Sequence, residues 1–271
     1  MSLSLDSTQL DRYSRHIIMD EVGPDGQQAL LDAAVLVIGA GGLGAPAIQY
    51  LAAAGVGTLG VADDDEVELS NLQRQIIHGN DDVGRPKVES AADFVADLNP
   101  DVDVRTHEVR VEPENAEDLV ADYDFVVDAT DNFRTRYLVN DACTLSGTPF
   151  SHGAIYKFEG QVTTFTTEGP CYRCLFPEAP PEGMVADCAS TGVLGVLPGT
   201  LGCIQATETV KYLLGAGEVL DGRMVFYDAM DMTFEEVEFR ENPECPVCGD
   251  DPIDSLSRVE YADESCPVNA D

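Results

Sequence analysis

Residues 39–44 read Gly-Ala-Gly-Gly-Leu-Gly, a G-x-G-x-x-G run directly after an apolar strand and before a helix. Gly39, Gly41, Gly42 and Gly44 let backbone N–H groups approach a phosphate at a helix N-terminus, and Asp63, ending the next strand, suits ribose hydroxyls. That combination predicts a nucleotide and points first to a dinucleotide oxidoreductase. The residues beyond Asp63 argue against hydride chemistry. Ser70-Asn71-Leu72-Gln73-Arg74-Gln75 and Gly84-Arg85-Pro86-Lys87 place cations just beyond the ribose acid, in a chain with only 15 Lys+Arg. A departing pyrophosphate accumulates negative charge that guanidinium and ammonium groups stabilise, and NAD needs far less. Arg74 and Lys87 pairing with surface acids is the simpler alternative. Asp128-Ala129-Thr130-Asp131-Asn132 lies at the carboxyl end of a buried strand, where open sheets bind ligands; one of its acids is suited to hold Mg²⁺ beside phosphates.

Eight cysteines sort into groups. Cys171-Tyr-Arg-Cys174 and Cys245-Pro-Val-Cys248 are two C-x-x-C knuckles whose four thiolates suit tetrahedral Zn²⁺ in a closed, structural site. Disulfides are the alternative, which a reducing cytoplasm disfavours. Cys143 and Cys203 fall in helical, mostly apolar contexts and are expected in the core, whereas Cys266 sits in the acidic tail. The four histidines, 16, 78, 107 and 152, are scattered without Ser-His-Asp spacing and read as surface or packing residues.

These groups must be positioned by an alternation of strands and helices. Residues 34–38, a helix from about 45 to 54, and 58–62 make a βαβ unit; a helix over 86–99 and strands at 102–109 and 124–130 continue it. Parallel neighbours need crossovers, so the expected fold is α/β: a Rossmann-like, doubly wound, mainly parallel sheet. An antiparallel C-terminal part carrying the zinc site would continue it, with a strand at 160–167, a helix near 201–214 and a hairpin over 224–239. Residues 1–249 are expected to form one domain, with a nucleotide-binding half (1–150) and a partner-binding and zinc half (151–249). An acidic, loosely held tail (250–271) completes the chain.

The formal charge of −35 and only three lysines suit a protein kept soluble in concentrated salt and argue against nucleic acid as a direct ligand. The N-terminus shows no signal peptide, so a cytoplasmic location is expected. Residues 33–62 carry no charge over a length that could cross a bilayer, but Gly39 to Pro46 break the run into strand, turn and helix, so no membrane association is expected.

Taken together, RYSRHI (12–17), GAGGLG (39–44), DDDEVELSNLQRQ (63–75), GRPKVE (84–89), DATDN (128–132), GQVT (160–163) and the two C-x-x-C pairs resemble the ThiF/MoeB/HesA adenylating enzymes, relatives of ubiquitin-activating enzymes. The resemblance runs from about Leu10 to Gly249. It implies a homodimer that uses MgATP to adenylate the C-terminal glycine carboxylate of a small ubiquitin-like protein with a Gly-Gly tail. It implies that Gly42 lies against the phosphates, that Asp63 holds ribose, and that Asn71, Arg74 and Lys87 contact phosphates. Asp65, Ser70, Leu72, Gln73 and Gln75 join the nucleotide site, Asp131 positions Mg²⁺ with Asn132 beside it, and Arg15 reaches into the partner subunit as an arginine finger.

Cys188 lies in 180–193, after a Pro/Gly stretch expected to be exposed. Its thiol could attack the adenylate to form a thioester, or exchange with a persulfide or disulfide at the substrate's C-terminus. Asp187 beside it would raise the thiol pKa. The adenylate would feed sulfur transfer for molybdopterin synthesis or tRNA thiolation, or protein conjugation. Nothing after residue 249 resembles an appended sulfurtransferase domain, so a separate sulfur donor is expected. A nicotinamide-dependent oxidoreductase and a non-catalytic scaffold on the same fold are the competing readings.

Overall fold

The computed structural model describes residues 5–178 and 192–261. Three helices precede the sheet: α1 (Ser7–Arg12), α2 (Ser14–Ile17) and α3 (Gly23–Asp32). Asp6 starts α1 with a capping box, accepting from the Thr8 and Gln9 amides while the Gln9 side chain accepts from the Asp6 amide. Between α1 and α2 the buried Tyr13 hydroxyl accepts from Asn99 Nδ2 at 2.9 Å, which pins the N-terminal segment to the body.

β1 (Ala34–Ile38), α4 (Gly44–Ala54) and β2 (Thr58–Ala62) form the expected βαβ unit. After them come α5 (Lys87–Leu98), β3 (Asp103–His107), α6 (Ala116–Ala121), β4 (Phe125–Asp128), α7 (Phe133–Ser146) and β5 (Phe150–Tyr156). The chain then runs through β6 (Glu159–Phe165), α8 (Tyr172–Leu175), α9 (Val196–Leu214), β7 (Arg223–Asp228) and β8 (Thr233–Glu238). All eight strands make one sheet in the order β3-β2-β1-β4-β5-β6-β7-β8, parallel from β3 to β5 and antiparallel beyond it.

The reason for the apolar run at 34–38 is visible in the burial. Val35 and Val37 enter a core on the face that packs α4, α5 and α9, while Leu36 and Ile38 enter a second core under α6 and α7. A strand covered on both faces needs apolar side chains at every position, not at alternate ones. β8 is the opposite case: all six residues are exposed, and its contacts include the stacked Tyr227–Phe234 rings at 4.5 Å.

Two expectations need correction. The helix expected near 201 begins at Val196, because Pro198 sits within the first turn, where its missing N–H costs nothing. The stretch after residue 250 is not loose as far as Tyr261: Leu256 is 1% exposed in the α7 core, and the Tyr261 hydroxyl donates to Asp141 Oδ2 at 2.8 Å. Among the described residues no helix is long and apolar enough to cross a membrane.

Candidate active site

β1 and β4 are adjacent, yet the chain leaves β1 toward β2 on one side and returns to β4 on the other. Their carboxyl ends therefore flank the crevice at which open α/β sheets take ligands. Gly39, at the end of β1, has φ +97°, and a Cβ there would lie 2.8 Å from the Ala129 carbonyl oxygen at the end of β4. A Cβ at Gly44 would fall on the carbonyl oxygen of Gly39, so the turn into α4 can close only without side chains.

Asp63 organises this turn. Its Oδ2 accepts from the Ala40 amide at 2.7 Å and its Oδ1 from the Asp65 amide at 2.9 Å. Lys87 arrives from 24 residues away because the Lys87 amide donates to the Asp65 carbonyl and residues 66 and 86 form a β-bridge. Its Nζ then lies 2.6 Å from Asp65 Oδ2 and 3.7 Å from Asp63 Oδ1. Burial raises the Asp63 pKa, and the Lys87 ammonium and the two amides pull it back.

Gly39, Gly41 and Gly42, Asp63 and Asp65, Arg74, Gln75 and Lys87, and Asp131 and Asn132 line one cleft of about 320 Å³. Most of the expected nucleotide-site residues thus meet in space. Gly44, Ser70, Asn71, Leu72 and Gln73 are not on its wall. Gly44 is buried in the turn, and the Ser70 carbonyl accepts from Arg74 Nη1 at 3.1 Å. Asn71 Oδ1 accepts from the Glu68 amide, and Gln73 packs against Gly195. These residues shape the segment that carries Arg74. Arg15, on α2, is exposed and away from the cleft of its own chain.

Asp128 is not available for a metal. It is fully buried, with Oδ1 accepting from the Thr130 amide and hydroxyl and Oδ2 from His152 Nδ1. Asp131, three residues on, is exposed in the cleft, and Asn132 Oδ1 accepts from the Thr135 amide at 2.8 Å to cap α7. Sequence reasoning missed Arg110, Thr130 and Arg136, which also line the cleft. Arg136 carried a usable signal, lying one helical turn beyond the cap residue Asn132; Arg110 carried none.

The histidines pack as expected. His78, whose Nδ1 lies 2.8 Å from Ser90 Oγ, donates from Nε2 to the Ala40 carbonyl and so supports the glycine turn from below. His16 meets Gln27 and His107 meets the Tyr123 hydroxyl. Cys143 is buried as expected and Cys203 is half-buried. Cys188, Asp187 and Cys266 lie outside the described residues.

Cys171, Cys174, Cys245 and Cys248 gather with all four sulfurs within 4.8 Å of one another. The Cys171–Cys245 and Cys174–Cys248 sulfur pairs are 3.5 and 3.3 Å apart. A tetrahedron with metal–sulfur bonds of about 2.3 Å has edges of about 3.8 Å, so the donor set fits a closed four-thiolate centre. Four thiols this close disfavour losing all their protons together, and a divalent cation bound among them would displace those protons. Arg173, between the first two cysteines, makes a bidentate pair with the buried Asp141 of α7 at 2.7 and 2.8 Å.

The family model described as the ThiF family matches residues 13–247. The chain is 67% identical over 271 residues, the whole of both chains, to the SAMP-activating enzyme E1 of Haloferax volcanii. It is 52% identical over 250 residues, 90% of this chain and 92% of the other, to the sulfur carrier protein adenylyltransferase of Thermus thermophilus. A crystal structure of E. coli MccB with MccA-N7isoASN matches with a TM-score of 0.80 at 21% identity, covering 91% of this chain and 76% of that one, a likeness of fold alone.

Proposed function

The chain belongs to the ThiF family and is an adenylyltransferase, and from that premise we propose that it uses ATP to adenylate the C-terminal glycine carboxylate of a small ubiquitin-like or sulfur-carrier protein, releasing pyrophosphate. One observation carries the reading. Arg74, Lys87 and Asp131 converge on the same cleft that holds Asp63 and the glycine turn, which is charge that a triphosphate needs and a nicotinamide does not.

A carboxylate resists nucleophiles because its leaving group would be oxide. Attack of its oxygen on the α-phosphorus forms the acyl–phosphate bond and breaks the bond to the β-phosphate oxygen, so pyrophosphate leaves and no protein nucleophile is needed. Asp63 accepts from the ribose hydroxyls, the turn at Gly39–Gly42 offers amides, and Lys87 and Arg74 stabilise the departing charge. Asp131, the accessible acid of the β4 turn, would hold Mg²⁺, which supplies further neutralisation of the phosphates. The substrate tail ends in Gly-Gly because residues without side chains can thread a narrow approach to the α-phosphate.

Cys171, Cys174, Cys245 and Cys248 would hold a structural Zn²⁺ that fastens the C-terminal segment to α8. Arg15, turned away from its own cleft, serves the site of a second subunit in a homodimer. The acyl carbon of the adenylate is next attacked by the Cys188 thiolate, which forms a thioester as the acyl–phosphate bond breaks and AMP leaves, or the acyl group accepts sulfur from a separate donor, again with AMP as the leaving group. The output is sulfur transfer for molybdopterin synthesis or tRNA thiolation, or protein conjugation.

The test is incubation with MgATP and each small Gly-Gly-ending protein of the source organism, read by ATP–pyrophosphate exchange and intact mass. Exchange and a mass gain of one AMP on the partner are expected, and Cys188→Ser should spare exchange while abolishing a reducible or hydroxylamine-sensitive adduct. No exchange with any such protein, together with NAD binding, would overturn the reading.

A further inference from the structure

Beneath the cleft lies a buried acid–imidazole pair that the adenylation chemistry does not use. β4 and β5 run in a register that sets Asp128 opposite His152, and both are fully buried. His152 Nδ1 meets Asp128 Oδ2 at 2.7 Å. The other carboxylate oxygen accepts from the Thr130 amide at 3.1 Å and the Thr130 hydroxyl at 2.6 Å. Gln205 of α9 clamps the two strand ends together, its Nε2 donating to the carbonyls of Asp128 and Ser151.

These contacts set the proton positions. Against the cost of burial, the His152 bond, then the Arg136 guanidinium and the Thr130 hydroxyl, hold Asp128 below the usual carboxylate range, and burial lowers the His152 pKa; a carboxylate only accepts, so the proton between them sits on Nδ1. Among the described residues His152 Nε2 is buried and meets no partner, and the ring's hydrogen bond is the one to the Asp128 carboxylate. A buried polar pair of this kind is weak support for stability, since apolar side chains of similar volume would fill the same space without desolvation. What the pair does hold is the turn at Ala129–Asn132, whose Asp131 and Asn132 face the cleft.

We propose that His152 is a positioning residue for adenylation: it orients the Asp128 carboxylate, which through Thr130 fixes the turn that presents Asp131 and Asn132 to the reacting phosphate. This rests on the adenylation reading. The relay acts on the reacting end of the cleft, whereas Asp63 and Lys87 are held by the Ala40 and Asp65 amides and by each other; it adjoins the glycine turn at Ala129, which packs on Gly39. Its loss should therefore appear in kcat and not in the KM for ATP.

The experiment uses the full chain with MgATP and its Gly-Gly-ended protein, measuring exchange kinetics beside circular dichroism and thermal unfolding. His152→Ala should lower kcat about 10- to 100-fold with the KM for ATP within roughly twofold. His152→Asn, whose amide can donate from near the Nδ1 position, should recover most of kcat. Asp128→Asn, whose side chain cannot accept from both His152 and Thr130, should lose activity as His152→Ala does, and the double variant should lose no more than the worse single one. A folded His152→Ala with unchanged kcat, His152→Asn as impaired as His152→Ala, or an Asp128 effect that multiplies with that of His152 would each overturn the proposal. If His152→Ala does not fold, His152→Asn and His152→Gln decide: the donor kept near the Nδ1 position should retain kcat and the displaced one should not, and equal kcat in the two would overturn the proposal. Absence of exchange in the unsubstituted protein overturns the adenylation reading and this proposal together, whereas exchange unaffected by the variants overturns this proposal only.

Discussion

From Ala34 to Asn132 the cleft is built mainly from backbone: strand ends, a glycine turn that tolerates no Cβ, and carboxylates that grip amides two and twenty-three residues away. Residues 171–175 and 240–261 are held instead mainly by side chains at a few points: four sulfurs, the Arg173–Asp141 pair, Leu256 in the α7 core, and the Tyr261 hydroxyl on the same aspartate. Both regions meet on α7, which begins in the cleft at the Asn132 cap and carries Asp141 two and a half turns later. The first region keeps its shape as long as the sheet does; the second depends on the thiol cluster, where we propose a bound ion, and on single contacts, and can loosen while the sheet stays whole.

Each of four measurements would separate the regions or show that they are one. The largest effect belongs to the cleft: Arg74→Ala or Asp131→Ala should lower ATP–pyrophosphate exchange by about 10²–10³, as loss of one charge-stabilising group does elsewhere. Metal content and thermal midpoint should stay unchanged. Next, stripping metal with a chelator should lower the midpoint by ~10 °C, the equivalent of about 3 kcal/mol. Hydrogen exchange should then rise over 240–261 before it rises in β1, β2 and β4; a simultaneous rise would show a single cooperative unit.

Acid should act on the other region. His78, His107 and His152 have pKa values lowered by burial, so the unfolded chain binds protons first as pH falls. Stability is therefore full above the ordinary imidazole value of about 6.5 and declines below it, by up to ~1.4 kcal/mol per histidine per pH unit. Urea unfolding at a series of pH values, in molar salt to screen the charge of −35, should show the decline, and His78→Gln should reduce its slope. The smallest effect is Tyr261→Phe, which removes one hydrogen bond to Asp141 and should cost about 1 kcal/mol without altering exchange.

Much of the cleft could be read in the sequence because its logic is local: the glycines of 39–44, an acid at a strand end, and a buried strand running into Asp131 leave signals within a few residues. The cysteine knuckles were legible for the same reason, each pair sitting on one turn. Contacts made across the sheet left no such trace. The residues of 128–132 alone leave either acid open as a metal ligand until the β4–β5 register sets His152 beside Asp128, and nothing near His152 announces a partner 24 residues back. Leu256 and Tyr261 were overlooked because isolated apolar residues in an acidic stretch show no period, and only the distant Asp141 gives Tyr261 a role. The start of α9 was misplaced because Pro198 reads as a breaker when its position in the first turn is unknown.

The margin of the sheet at β8 has a further consequence. A border strand offers a row of amides and carbonyls along which separate molecules can zip together, and here Phe234 and Val237 stand exposed on it. Glu235, Glu236 and Glu238 make two such borders repel, so the carboxylates that weigh on the folded chain in dilute buffer also guard it against fibre-like stacking. Replacing Glu235, Glu236 and Glu238 together by Gln should remove the guard, so that light scattering shows association along this strand while nucleotide binding in the cleft is kept.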